Sequence, residues 1–271
     1  MFSQEFPQDH TADGQVDLAK LFRVDGQVAL VTGAGRGIGA AIAQLLAQSG
    51  AQVVLVSRTA GELQQTASRI EAAGGQAQVR VCDVTDSAAV RALIETLPQL
   101  DILVNNAGTN IPEPFVDVTD EHLDALIDLN LRAVFVVAQA GVRKMLQHPA
   151  RLSRGGAVIN LSSQMGHIGS PNRTVYCMTK HGVEGLTKAM AVELAPLGIR
   201  VNSIGPTFVD TPLVRRIVDT PEKSRFVLAN IPMGRLTSVT DIAAAAVYLA
   251  SPAAAMVTGT CLLVDGGWTA Q

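Results

Sequence analysis

The chain is poor in several residue types. Among 271 residues there are three cysteines, one tryptophan and two tyrosines, and aromatic residues make up 4%. Cys82, Cys177 and Cys261 stand far apart and form neither a metal-ligand spacing nor a disulfide framework. They are expected to be reduced thiols in a cytoplasmic protein, with no metal site. Charged residues are 17% with a net charge of −3, and no basic stripe is visible. That excludes broad nucleic-acid binding. No stretch has the roughly 18 uninterrupted apolar residues of a membrane helix; the alanine-rich run Ile242–Val257 is broken by Ser251 and Pro252. The first twenty residues are polar and lack a cationic-then-apolar signal pattern. They are expected to be a loose tail, with residues 21–271 forming one domain. There is no internal repeat and no low-complexity block.

Against those absences, 48% of the chain is hydrophobic, enough for a substantial core. Apolar strand-like runs at 27–33, 51–57, 77–82, 101–105, 156–162, 199–204 and 260–264 alternate with helical patterns at 38–49, 60–73, 86–96, 119–147, 174–195 and 239–250. Continuous runs such as Val53-Val-Leu-Val56 imply burial on both faces. The alternation predicts an α/β fold: a single-domain, Rossmann-type, doubly wound parallel sheet of about seven strands with helices on both faces. Residues 206–232 interrupt the rhythm with four prolines and a short amphipathic piece. A long insertion after the sixth strand, where ligands bind in such sheets, is a candidate lid. Residues 148–154 read as a short insertion on the surface.

Two motifs carry chemistry. The run Gly33-Ala-Gly-Arg-Gly-Ile-Gly39 sits between a predicted strand and a predicted helix. Glycines there let backbone approach a pyrophosphate, and the helix N-terminus offers free N–H groups. No Lys-Ser/Thr follows the last glycine, so this is not a Walker loop. The second motif is Tyr176-Cys-Met-Thr-Lys180, which stacks a phenol and an ammonium on one helix face. A lysine cation beside a tyrosine is expected to lower its pKa from about 10, so that it can exchange a proton with a substrate oxygen.

Taken in order along residues 24–267, these pieces resemble the short-chain dehydrogenase/reductase family. Thr32–Gly39 resembles its cofactor turn, Asp83-Val84 its adenine-contacting pair, and Asn105-Asn-Ala-Gly108 its motif after the fourth strand. Asn130, Ser163, Tyr176 and Lys180 match its catalytic tetrad, with the usual thirteen residues from Ser163 to Tyr176. The resemblance implies hydride transfer between a nicotinamide cofactor and a small carbonyl or alcohol. Tyr176 would move the proton, Ser163 hydrogen-bond the substrate oxygen, Lys180 hold the nicotinamide ribose, and Asn130 hold a water in a proton relay. It implies cofactor contacts from Gly33, Gly35, Arg36, Gly37, Ile38, Gly39, Ser57, Arg58, Asp83, Val84, Asn105, Ala107, Gly108, Tyr176, Lys180, Pro206, Thr207, Val209 and Thr211. It also implies a homotetramer. One departure is Thr207, which stands after Pro206 where the family commonly has glycine.

The end of the second strand reads Val56-Ser57-Arg58-Thr59. An NAD site usually places a carboxylate there to bond the ribose 2′-OH. Arg58, with Arg36 nearby, suits a 2′-phosphate instead, so NADP(H) is expected to be preferred and NAD(H) tolerated. Gln164 and His167, just after Ser163, and Arg173, three residues before Tyr176, are candidate substrate contacts. Their polarity favours a sugar acid or polyol over a long acyl chain. The resemblance extends to gluconate and sugar-alcohol dehydrogenases and to 3-oxoacyl-carrier-protein reductases, which leaves the latter activity as the alternative. A non-catalytic dinucleotide sensor is a third reading, opposed by the intact tyrosine and lysine.

Overall fold

The computed structural model describes residues 17–271. Seven strands, β1 (Val28–Thr32), β2 (Gln52–Ser57), β3 (Gln76–Val81), β4 (Ile102–Asn105), β5 (Gly156–Leu161), β6 (Ile199–Pro206) and β7 (Cys261–Val264), form one sheet in the order β3-β2-β1-β4-β5-β6-β7. Every pairing is parallel. The central strands are buried on both faces because their residues are apolar without alternation. Side chains still point alternately up and down. Ala29, Val31, Val53 and Leu55 enter the core on one face, and Leu30, Val54 and Val56 the core on the other.

The first core is closed by α2 (Gly37–Gln48), α3 (Ala60–Ala72) and α11 (Val239–Ala250). The second is closed by α4 (Ser87–Glu95), α6 (Ala133–Leu146) and α8 (Thr174–Leu194). Strand order reverses between β1 and β4, and such switch points open a crevice at the strands' carboxyl ends.

The expected helix over 119–147 is instead three pieces. α5 (Asp120–Ile127) runs into a π-helical stretch, Asp128–Arg132, before α6 continues. By length and composition Asp120–Leu146 could cross a membrane, yet 56% of its most apolar window is buried within the protein. It is a core helix with a locally widened turn, of the kind that often marks a functional position.

Residues 1–16 of the expected tail lie outside the described residues, and residues 18–20 belong to α1 (Leu18–Leu21), capped by Asp17. The short insertion at 148–154 lies mostly on the surface, as expected, with Arg151 the exception. It forms α7 (Arg151–Arg154), and Arg151 is buried. Asp101, fully buried before β4, receives Arg154 Nε at 2.8 Å and Arg151 Nη2 at 3.5 Å. It also accepts the Val28 N–H at 2.9 Å and a bond from Gln99. This knot ties β1, β4 and α7 at the end of the sheet away from the crevice.

Residues 206–232 contain α9 (Pro212–Ile217) and α10 (Pro221–Ala229). Thr211 and Thr220 cap them, and proline occupies the first turn of each, where no N–H is needed.

Candidate active site

A cleft of about 340 Å³ opens beside the carboxyl ends of β1, β2 and β4. Its floor is the glycine turn. Gly33 and Gly37 have φ of +64° and +56°, which side chains rarely adopt. A Cβ on Gly39 would lie 2.3 Å from the Gly33 carbonyl, so that helix start packs only without one. Thr32 laces the turn to the segment after β4. Its hydroxyl accepts the N–H groups of Asn106 at 3.0 Å and Ala107 at 3.1 Å, while Asn106 Nδ2 donates to the Thr32 carbonyl at 2.9 Å. The side-chain-free cradle at the N-terminus of α2 fits a pyrophosphate-bearing dinucleotide.

Gly33, Gly35, Arg36, Gly37, Ile38, Gly39, Ser57, Arg58, Asp83, Val84, Ala107, Gly108 and Thr211, among the expected cofactor contacts, all line this cleft. Asn105 does not. It is buried, and its Nδ2 donates to Asn160 Oδ1 at 2.9 Å, joining β4 to β5. Asn106, the next residue, faces the cleft in its place. Pro206 and Val209 are buried outside it, and Thr207 keeps a buried hydroxyl with no protein partner.

Sequence reasoning missed Glu62 and Arg216, which also line the cleft. Both arginines expected to meet a 2′-phosphate already have acidic neighbours. Arg36 Nη1 lies 3.0 Å from Glu62 Oε1, and Arg58 Nη1 lies 3.7 Å from Asp83 Oδ2. Glu62 follows Arg58 by four residues in sequence, so its nearness could have been read from the start of α3; its pairing with Arg36 is a tertiary contact that could not.

Ser163, Tyr176 and Lys180 come together where β5 ends and α8 begins, and Asn130 lies in the π stretch. Asn130 is fully buried in that stretch. Its Oδ1 accepts the Thr109 N–H at 2.9 Å and its Nδ2 donates to the Thr109 carbonyl at 2.8 Å. The side chain is thus committed to the loop after β4. Gly108 permits this approach, since a Cβ there would sit 3.1 Å from Asn130 Oδ1. Ser163 starts a 3-10 turn, Gln164–Gly166, and its hydroxyl accepts the Met165 N–H at 3.1 Å. Lys180, 6% exposed, donates from Nζ to the Leu161 carbonyl at 2.7 Å. Its Nζ stands 5.5 Å from the centre of the Tyr176 ring.

The expected lowering of the Tyr176 pKa is not found. Burial of the phenol pushes it up to about 12, opposed by a hydrogen bond with Ser163 and the charge of Arg173. Tyr176 as a residue is only half-buried, but its hydroxyl is surrounded by protein. Burial also pushes Lys180 down to about 8, while Glu184 pulls it up.

Of the candidate substrate contacts, Gln164 is 1% exposed and neither amide atom has a protein partner. Arg173 is half-buried, its Nε is unpartnered, and its charge acts on Tyr176. The backbone supports it through Asn172, held at φ 58° with its carbonyl accepting the Glu113 N–H. His167 instead turns toward Glu184, Nε2 to Oε1 at 3.7 Å.

A seven-stranded parallel sheet with a glycine turn at its switch point, and a Ser-Tyr-Lys group beside it, defines a nicotinamide-dependent oxidoreductase class. The chain belongs to the short-chain dehydrogenase/reductase family, whose enzymes use NAD(P). A family profile described as enoyl-(acyl carrier protein) reductase matches residues 33–269. The chain is 40% identical to L-xylulose reductase of Bos taurus, over 92% of this chain and 98% of that one. It is 37% identical to 3-oxoacyl-[acyl-carrier-protein] reductase of Thermotoga maritima, over 90% and 98%. Among solved structures it is similar to a gluconate 5-dehydrogenase from Burkholderia cenocepacia in complex with NADP and tartrate. The identity there is 37% over 93% and 99% of the two chains, with a TM-score of 0.88.

Proposed function

We propose that this protein is an NADP(H)-preferring oxidoreductase that interconverts a carbonyl and a secondary alcohol on a small, polar, sugar-acid or polyol-like substrate. The observation that carries the substrate reading is Gln164. A buried amide with neither atom paired costs several kcal/mol, and substrate hydroxyls beside Ser163 would recover that cost. Arg173 adds a cation suited to a carboxylate. A long acyl chain would leave these groups unpaired. The names of an L-xylulose reductase and a gluconate 5-dehydrogenase among the relatives support the same direction.

A nicotinamide held in this cleft would supply the hydride in reduction and accept it in oxidation. Tyr176 gives its phenolic proton to the substrate oxygen in reduction and takes it back in oxidation. Ser163 donates a hydrogen bond to that oxygen as negative charge develops. Lys180, charged in its buried seat, favours the phenolate in that step and holds the cofactor ribose. Asn130 fixes the loop after β4 through Thr109, and the widened turn around it supports the relay role implied by the family.

Arg58 and Arg36 support NADP(H), and a 2′-phosphate would draw them from Asp83 and Glu62. The segment 206–232, with α9 rooted at the glycine turn through Thr211, acts as a lid. A homotetramer is supported by the exposed apolar residues Phe135, Met178 and Val192 on α6 and α8.

A panel of sugar acids, ketoses, polyols and acyl thioesters, run with NADPH or NADH and the oxidised forms, tests this reading. Turnover is expected on the polar ketones and polyols, with kcat/KM at least tenfold higher for the phosphorylated cofactor. Activity confined to acyl thioesters would replace the substrate assignment, and a clear NADH preference would replace the cofactor assignment.

A further inference from the structure

Glu184 sits one helical turn beyond Lys180 on α8 and is 5% exposed. Both of its carboxylate oxygens lie within bonding distance of Ser203 Oγ on β6, at 3.0 and 2.8 Å. His167 approaches from the turn after Ser163, and the Cys261 thiol of β7 joins the cluster, with the ligand atoms of all three residues within 4.8 Å of one another. Among the described residues no lysine or arginine nitrogen reaches this carboxylate within 4.0 Å. Burial holds the Cys261 thiol up at about 12, so it contributes no charge near neutral pH.

Burying a carboxylate this deeply against a hydroxyl, a thiol and a half-exposed imidazole is costly. A neutral side chain would fill the same space more cheaply, so the charge itself calls for an explanation. Lys180 supplies one. It too is buried, and its only hydrogen-bond acceptor among the described residues is the Leu161 carbonyl. Tyr176 on its own helix and Arg173 beyond it give an ammonium no compensating negative charge. Residues i and i+4 share a helix face, and two opposite charges interact strongly where water is scarce. The Glu184 stem also supports the Ser163 turn, because a Cβ on Gly166 would lie 3.1 Å from Glu184 Cγ.

We propose that Glu184 is a positioning residue whose carboxylate is the buried counter-charge that keeps Lys180 an ammonium, and that Ser203 and the Ser163 turn hold it in place. The proposal rests on the reading of Tyr176 and Lys180 as the working pair. Removing the charge leaves the lysine with burial alone, so it gives up its proton at lower pH.

The test is NADPH binding followed by cofactor fluorescence from pH 6 to 10, which needs no knowledge of the substrate. In the wild type, binding is expected to weaken above about pH 8, where Lys180 loses its proton. Lys180→Met should abolish that limb. Glu184→Gln should move it down by about 1 pH unit or more, and the alkaline limb of turnover should follow. Ser203→Ala removes the hydrogen bond but not the charge, and should leave the limb near its wild-type position. If Glu184→Gln does not fold, Glu184→Asp carries the test, with a smaller downward shift expected. A limb lost in Lys180→Met but unmoved in the Glu184 variant would overturn this proposal alone. A limb that persists in Lys180→Met would remove the working-pair reading together with it.

Discussion

Replacing Thr32 by valine keeps the shape of the side chain and removes one oxygen. That oxygen accepts two backbone N–H groups, from Asn106 and Ala107, and its own proton goes to the Val104 carbonyl at 3.3 Å. Thr32 is buried, so water cannot readily replace it. Each orphaned donor costs about 1–3 kcal/mol, and a modest backbone shift recovers part of the total. The expected loss is about 3 kcal/mol. Thr32→Ser keeps the oxygen and gives up one methyl, worth about 0.8 kcal/mol. Urea unfolding at matched protein concentration measures both, with the slope m unchanged if the transition stays two-state. Because the same oxygen joins the glycine turn to the loop after β4, Thr32→Val should also weaken NADPH binding while Thr32→Ser does not. A valine variant within about 0.5 kcal/mol of wild type, on the same scale of surface substitutions, would refute the claim that this hydroxyl locks the cleft.

Asp101→Asn breaks the knot with Arg151 and Arg154 and is expected to cost about 3–5 kcal/mol, read by the same denaturation. Burial tends to raise the Asp101 pKa, but Arg154, the Val28 N–H and Gln99 outweigh it and hold the carboxyl below its usual value. Its contribution is therefore fully present above the unfolded value of about 4 and disappears as pH falls through the folded one. The stability gap between wild type and variant should close in that acid range, and a gap independent of pH would contradict the assignment. Gly39→Ala drives a methyl against the Gly33 carbonyl, an overpacking cost of about 1–3 kcal/mol that falls on the cofactor cradle. Fluorescence titration should show NADPH Kd raised about tenfold or more, and unchanged affinity would dismiss the cradle.

Most of the architecture could be read from the sequence because its signals are local. The central strand runs are apolar on both faces, and all the strand ends fall within two residues of the expected ones, so the parallel sheet follows. The glycine turn was equally legible, since Gly33 and Gly37 take positive φ and Gly39 must clear the Gly33 carbonyl a few residues before it. The misses are of another kind. The π stretch at Asn130 has the same apolar periodicity as the helices it joins, so periodicity could not reveal it. Arg151 reads as a surface residue until folding carries Asp101 to it. Asn105 and Asn106 are adjacent and chemically identical, and only the direction each takes at the end of β4 decides which one faces the cleft. The Tyr176–Lys180 spacing was visible, but the degree of burial that governs both groups is a tertiary property. Glu184 did leave a trace, as a carboxylate amid the apolar residues of the 174–194 helix.

The most direct test of the central claim is Tyr176→Phe, which keeps the ring and removes the proton. The account predicts NADPH binding close to wild type by fluorescence, with carbonyl reduction on the best substrate of the panel reduced at least a hundredfold, the lower range of general acid catalysis. Turnover near the wild-type rate in that variant would contradict the account.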